Sequence, residues 1–405
     1  MQALRGLKVV DLSKVLAGPL CGQYLGNLGA DVTKVEPVGL GDDTRGWLPQ
    51  KQGESATFLA VNHNKRSIAL DLKTAEGRAI VQRLVQDADI VLQGFGAGTA
   101  QKLGVDYASL SALNPRLIYC EISGYGREGP LGKEPGYDVM LQAFSGMVSV
   151  MGEEGGPMVR ATFSPVDLGT GMMAFSGVLA AVIERSQTGR GVYVEVSLLD
   201  TAMGLMGYLA QNFWCSGQLP QRMGTGHPAM APYQVFMASD GPVMVGVGND
   251  SQWKKFCPVA GLSQYVDDPR FARNADRVAH FAETVALVQQ VIAQQPVAHW
   301  VQALQAVGVP CAPINNLQQA LEHPQIAARQ VVGFSQHASL GNMPSVNLPI
   351  SFDQQPRAQR SAPPLLGQHT KDILRDAGYS EAQIAEFLQQ RVVVQNEHSQ
   401  TDAQA

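Results

Sequence analysis

One carboxylate is set apart by its surroundings. In residues 160–185, RATFSPVDLGTGMMAFSGVLAAVIER, Asp167 falls between a proline-bearing loop and an apolar stretch of small residues. Pro165 biases Ser164 towards an extended backbone, and the apolar run 172–183 has helical length. Asp167 is therefore expected at or just before a helix N-terminus, where free backbone N–H groups and the helix dipole favour an anion. Two roles fit such a residue. It can cap the helix, which is the simpler reading of the local sequence, or it can be an ionised carboxylate presented as a nucleophile.

Other stretches could hold an anionic ligand. Between His63 and Arg78, Lys65, Arg66, Lys73 and Arg78 outnumber Asp71 and Glu76. An anion site and a solvated basic surface fit that excess equally well. GFGAGTAQKLG is a glycine-rich loop running towards a helix, with Lys102 at its far side, and such loops can cradle phosphate. The loop SGYGREGPLGKEPGYD is long enough to suggest function in a compact domain.

Those residues must be carried by a folded body, and the composition allows one. The chain has 405 residues, 45% hydrophobic and 16% charged, which fits a well-packed enzyme of two to three domains. A net charge of −5 argues against binding nucleic acid or an anionic membrane. Cys21, Cys120, Cys215, Cys257 and Cys311 form no C-x-x-C pair, so reduced thiols, a cytoplasmic protein and no metal site are expected. The opening MQALRGLKVVDLS leads into a strand pattern and has no secretion signal. The apolar run 172–183 is too short to span a bilayer.

Strand patterns at 7–12 and 31–36 flank a Gly/Pro-opened helix, which makes a βαβ unit. A strand at 67–72, a helix at 75–86, strands at 90–93 and 116–122, a helix from 139 and a strand running into a helix at 191–214 continue the alternation. The fold class is therefore α/β, with a parallel sheet covered on both faces. The first turn, SKVLAGPLCG, lacks the G-x-G-x-x-G of a nicotinamide site, which tells against a dinucleotide oxidoreductase. Residues 1–215 are assigned to the large domain. A hairpin at 234–238 and 243–247, with helices at 253–259 and 281–294, gives a smaller α+β domain over 225–310. Residues 311–405 return to the large domain and end in a frayed tail. Within them Thr370 is expected to cap a helix ended by Gly378, and Ser380 with Gln383 to form a capping box on the next.

Taken together, LRGLKVVDLSKVLAGPLCGQYLGNLGADVTKVE, GDDTRGW, NKRSIALDLKTAEGR, NPRLIYCEISGYGREGP, PGYDVMLQAFSG, TGRGVYVEVSLLD, GVPCAPINN and LLGQHT resemble the class III CoA-transferases, over about residues 4–393. That family includes formyl-CoA and carnitine CoA-transferases and is related to 2-methylacyl-CoA racemase. The resemblance implies a Rossmann-like large domain with a smaller inserted one, and a homodimer of interlocked chains. Asp167 in PVDLGTG matches the family's nucleophile. It would attack the donor thioester to give a mixed anhydride and CoA thiolate. The thiolate would then return to the aspartyl carbonyl as an enzyme–CoA thioester, for passage to the acceptor acid. Coenzyme A and acyl-CoA are implied as substrates, with no permanently bound cofactor.

On the same resemblance, Val15, Leu16, Ala17, Leu70 and Lys73 match the stretch that holds the nucleotide end of CoA. Phe95 and Gly96 match the adenine-side loop, and Lys102 stands where formyl-CoA transferase has an arginine. Two family positions differ, Gly94 standing for an asparagine and Pro37 for an arginine. The racemases need a histidine where PGYD has Tyr137, and a tyrosine of ordinary pKa near 10 is a poor base at neutral pH. Transfer is thus favoured over racemisation, and over a CoA-binding protein without catalysis, because Asp167 is retained. MGTGHPAMAPY looks like the corresponding stretch of succinyl-CoA:dicarboxylate members. Gly226, His227, Tyr137 and Arg45 are the substrate-side candidates, with succinyl-CoA and a small dicarboxylate as the expected pair.

Overall fold

A computed structural model describes residues 2–353 and 361–396. Contacts divide the chain into two compact units: Met1–Ser145, Ala161–Ala210 and Pro324–Ala405 in the larger, Gly146–Arg160 and Gln211–His323 in the smaller.

The larger unit is built on six parallel strands: β1 Lys8–Asp11, β2 Asp31–Glu36, β3 Lys65–Leu70, β4 Ile90–Gln93, β5 Ile118–Ser123 and β6 Tyr193–Ser197. Their order is β3-β2-β1-β4-β5-β6, with Val393–Val394 antiparallel on the β3 edge. Ile90–Gln93 is the apolar kind of strand a sheet covered on both faces favours, whereas Asp31–Glu36 and Lys65–Leu70 carry buried polar residues, Lys34, Glu36, Lys65 and Ser67 among them. The chain order reverses between β1 and β4, and open α/β sheets bind their ligands outside the carboxyl ends of the strands at such a point.

Four helices concern the site or its support: α1 Ala17–Asn27, α2 Ala75–Gln86, α3 Asp138–Phe144 and α4 Pro165–Thr188. The spacing-based bounds for α2 and β4 match the structure, while β3 lies two residues earlier than its pattern suggested. At 24 residues, with a mean hydropathy of 1.7 over its most apolar window, α4 is long and apolar enough to cross a membrane by length and composition. This corrects the expectation from the run 172–183: the helix continues through small residues on one side and to Thr188 on the other. One face of α4 lies along α1. At Gly171 a Cβ would stand 2.6 Å from the Ala17 carbonyl oxygen, so only glycine admits that approach.

The smaller unit holds an antiparallel sheet in which Pro242–Gly246 lies between Tyr233–Met237 and Cys311–Pro313. Trp253 and Phe256 fill its core, and the buried Arg277 guanidinium donates to the Ala231 and Phe271 carbonyls at 2.6 and 2.7 Å. The predicted limits of 225 and 310 fall inside this unit. Cys311–Pro313 pairs with Pro242–Gly246, which keeps the chain there until 323. Residues 146–160 also belong to it, since Gly224 N–H donates to the Gly152 carbonyl at 2.9 Å.

Near the C-terminus the capping box of Ser380 and Gln383 is present with both hydrogen bonds. His369, not Thr370, occupies the cap of the preceding helix. Thr370 Oγ1 instead donates to the Val394 carbonyl at 2.7 Å and accepts from Ala69 N–H, fastening the helix to the sheet edge. The expected tail falls mostly outside the described residues.

Candidate active site

The carboxyl ends of β1, β4 and β5 open onto one cleft in the larger unit. The segment after β1 contributes Val15, Leu16 and Ala17, the turn after β4 contributes Phe95 and Gly96, and Tyr137 and Asp167 complete the wall. Seven of the residues singled out in the sequence are thus brought together at the switch point. Gly124 and Gly136 make this closure possible, since a Cβ on either would sit 2.5–2.6 Å from the other's backbone.

Asp167 stands in the first turn of α4, two residues after Pro165. Ser164 precedes the helix in the left-handed region, at φ 54° and ψ 59°, and not in the extended form that Pro165 favours. Its side chain makes no capping bond. The cap comes from elsewhere. Asp138, at the start of α3, accepts Val166 N–H at 2.8 Å and Asp167 N–H at 3.0 Å through Oδ2, while Gln142 donates to its Oδ1. With the orphan donors of α4 satisfied in this way, the Asp167 carboxylate is not needed as a cap and turns to the cleft. This separates the two roles that the local sequence left joined.

The electrostatics follow from that placement. Burial, and then the charge of Asp138, push the Asp167 carboxyl up to about 7. Near neutrality it therefore exists in both forms, which suits a group that must gain and lose charge.

Val15 is the one β-branched residue with positive φ, at 70°, among the described residues. Left-handed backbone at such a residue is a sterically costly conformation, of order 1–3 kcal/mol. Its position in the cleft wall makes that cost part of the site.

Three residues of the site were not singled out from the sequence. Arg127 lines the cleft, donates from Nη2 to the Phe95 carbonyl at 2.6 Å, and is paired through Nε with Glu121. Lys14 lies in the same wall, 3.5 Å from Asp43. Arg127 sits in the long loop that was notable for length alone. Asp138 carries no local signal, because the helix it caps begins 27 residues later, at Pro165.

The remaining candidates lie outside this lining. Leu70 is buried in β3, and Lys73 and Lys102 are exposed. Arg45 is committed to Glu36, with Nε at 2.7 Å and Nη2 at 2.8 Å, and Nη2 also donates to the Pro364 carbonyl at 3.0 Å. Tyr137, already placed in the cleft wall, is 60% exposed at the start of α3. In the smaller unit, Gly226 precedes a turn in which His227 Nδ1 accepts Ala229 N–H at 3.1 Å, with its ring edge-on to Tyr233. The basic stretch also resolves into separate contacts. Lys65 is buried against Asp11, Arg66 bridges Asp31 and Asp376, and Arg78 donates to the Lys73 carbonyl. These residues do not converge on a single anion site.

The model of CoA-transferase family III matches residues 4–370. An acyl-CoA transferase of Fusarium pseudograminearum is 39% identical, over 96% of this chain and 88% of its own length. The human succinyl-CoA:glutarate CoA-transferase is 34% identical, over 98% of this chain and 91% of its own. Among solved structures, a CAIB/BAIF family protein from Brucella suis superposes with a TM-score of 0.82 at 38% identity, covering 92% of this chain and 99% of that one. With the family model spanning most of the sequence and these relatives aligned nearly end to end, the chain belongs to CoA-transferase family III.

Proposed function

We propose that this CoA-transferase moves CoA from succinyl-CoA to a small carboxylic or dicarboxylic acid through a covalent intermediate on Asp167, and that it works as a homodimer. The observation that carries the reading is the uncapped, half-buried Asp167 carboxylate facing a cleft at the switch point. The donor assignment draws on the human relative, which is a succinyl-CoA:glutarate CoA-transferase.

The steps balance without an external energy source. Asp167 attacks the thioester carbonyl, the C–S bond breaks, and a mixed anhydride and CoA thiolate result. The thiolate attacks the aspartyl carbonyl and releases the donor acid, leaving CoA on the enzyme as a thioester. The acceptor carboxylate attacks that thioester, and the returning thiolate takes the acceptor's acyl group and frees Asp167. Acylation, like protonation, removes the negative charge of Asp167. The burial and the neighbouring Asp138 that favour the protonated form therefore also favour the covalent adduct. Arg127 and Lys14 offer positive charge in the cleft wall for the phosphates of CoA.

Racemisation on the same scaffold is the second reading. It would require Tyr137 to take the place of the histidine that moves the α-proton in the racemases.

The test incubates the protein with succinyl-CoA and a panel of mono- and dicarboxylic acids, with Asp167→Ala in parallel. New CoA thioesters are expected with the unmodified protein and none with the variant. Hydroxylamine should convert a thioester on Asp167 to the hydroxamate, and borohydride should reduce it to the alcohol, each releasing CoA and leaving a mass change on that residue. A fully active variant would sink the mechanism. A second expectation concerns Asp138→Asn, which keeps an acceptor for the α4 amides but removes a charge. The acid limb of kcat/KM for the donor should move to lower pH, yet stay above the ordinary carboxylate range, because burial is the larger cause. An unmoved limb would mean that Asp138 does not tune the nucleophile.

A further inference from the structure

We infer that two buried ion pairs, Lys34–Asp42 and Lys65–Asp11, are positioning residues for the CoA-binding segment 13–19, holding it in a backbone shape it would not keep by itself. The inference rests on the reading that the cleft takes CoA.

Each lysine holds one end of the segment. Lys34 Nζ donates to the Ser13 carbonyl at 3.0 Å and pairs with Asp42 at 2.9 Å. Lys65 Nζ donates to the Pro19 carbonyl at 2.8 Å, to Asn62 Oδ1 at 2.9 Å and to Asp11 at 2.8 Å. All four charged side chains are no more than 1% exposed. The aspartates grip the same segment from its amide side. Asp11 Oδ1 accepts Ser13 N–H at 3.0 Å, and Asp42 Oδ1 accepts Val15 N–H at 3.3 Å together with Thr44 N–H and Oγ1.

The stretch so held contains the left-handed Val15 and leads through Leu16 and Ala17 into the start of α1. Taking two charges out of water costs about as much as their mutual attraction returns, so the ionic attraction by itself adds little stability. What apolar residues cannot do is bind the Ser13 and Pro19 carbonyls and the Val15 amide. The pairs therefore contribute geometry: they keep Val15 turned so that 15–17 form the cleft wall before any ligand arrives.

The experiment uses the double variant Lys34→Met/Asp42→Leu, which removes both charges together, and free CoA as the probe. The variant should melt below the unmodified protein but still fold cooperatively, since the Ser13 carbonyl and the Thr44 amide and hydroxyl lose their partners. Its dissociation constant for CoA by calorimetry, and KM for succinyl-CoA, should rise about 10-fold or more, with a smaller change in kcat. Adding Val15→Gly should recover at least about 3-fold of the CoA affinity, because glycine takes positive φ without being held. A merely structural pair would not respond to that third substitution. Unchanged CoA affinity in the folded double variant, or no recovery with glycine, overturns the inference. Should the double variant fail to fold, amide hydrogen exchange on the unmodified protein decides. Protection of Val15 N–H without CoA supports the inference, and exchange that slows only on adding CoA overturns it. An unmodified protein that does not bind CoA overturns the functional reading itself.

Discussion

Asp167→Asn is expected to lose CoA transfer by about 10⁴-fold or more, as removal of a nucleophile does, and to make the protein more stable at pH 8. The two effects have one origin. Burial and then Asp138 push the Asp167 carboxyl up to about 7 in the fold, above the ordinary 3.8. The folded state therefore binds a proton that the unfolded chain has released between those values. Stability from the protonated form is fully present below about pH 4, and is lost as pH rises through about 7. Above that the ionised side chain is a standing cost. The full shift would correspond to about 4 kcal/mol, and partial hydration in the cleft reduces this to about 1–3 kcal/mol. Asparagine has the same shape and never ionises. Its advantage should be complete above pH 7 and shrink as pH falls towards 4, read from urea or thermal melts at several pH values. Equal stability at pH 8 would show that Asp167 is better solvated than the cleft implies.

The second large effect is expected at Arg45→Met. Glu36 is 1% exposed in its side chain, and Arg45 supplies both members of a bidentate contact to it. The guanidinium also lies 3.6 Å from the centre of the Phe58 ring. Burial would raise the Glu36 carboxyl, but Arg45, Lys34 and the Ser67 hydroxyl outweigh it and hold Glu36 below its usual range. Taking away Arg45 leaves a buried carboxylate without its main partner, at a cost of about 3–5 kcal/mol. Denaturant unfolding should show that loss at neutral pH and less of it in acid, where Glu36 takes up a proton. KM for the acceptor acid should change less than about 2-fold in the folded variant, since each donor of the fork facing Glu36 is already taken. A large rise in KM with little loss of stability would restore Arg45 as a substrate clamp.

These two residues show what can be read from a sequence and what cannot. The strand–helix alternation and the bounds of α2 and β4 follow from local periodicity, which is a property of neighbouring residues. Asp167 was legible as an anion near a helix start, and the resemblance supplied the role proposed for it. The identity of the cap was not legible, because Asp138 reaches α4 from another helix. Lys65 and Arg66 read as parts of one basic excess that fitted an anion site and a solvated surface equally, since a sequence gives charges but not their partners. In the fold one is buried against Asp11 and the other bridges Asp31 and Asp376. Val15 gave no sign of a left-handed backbone, a conformation imposed on it by contacts from 27 residues away.

A helix that relied on its own nucleophile for capping would begin to fray each time that nucleophile was esterified. Here the amides of the first turn are held by Asp138, which takes no part in bond making. The Asp167 carboxylate is not among the acceptors that hold α4, so changing it chemically breaks none of these bonds. On the proposed chemistry, each turnover returns to its starting geometry without rebuilding the end of the helix, and only the charge that faces Asp138 changes.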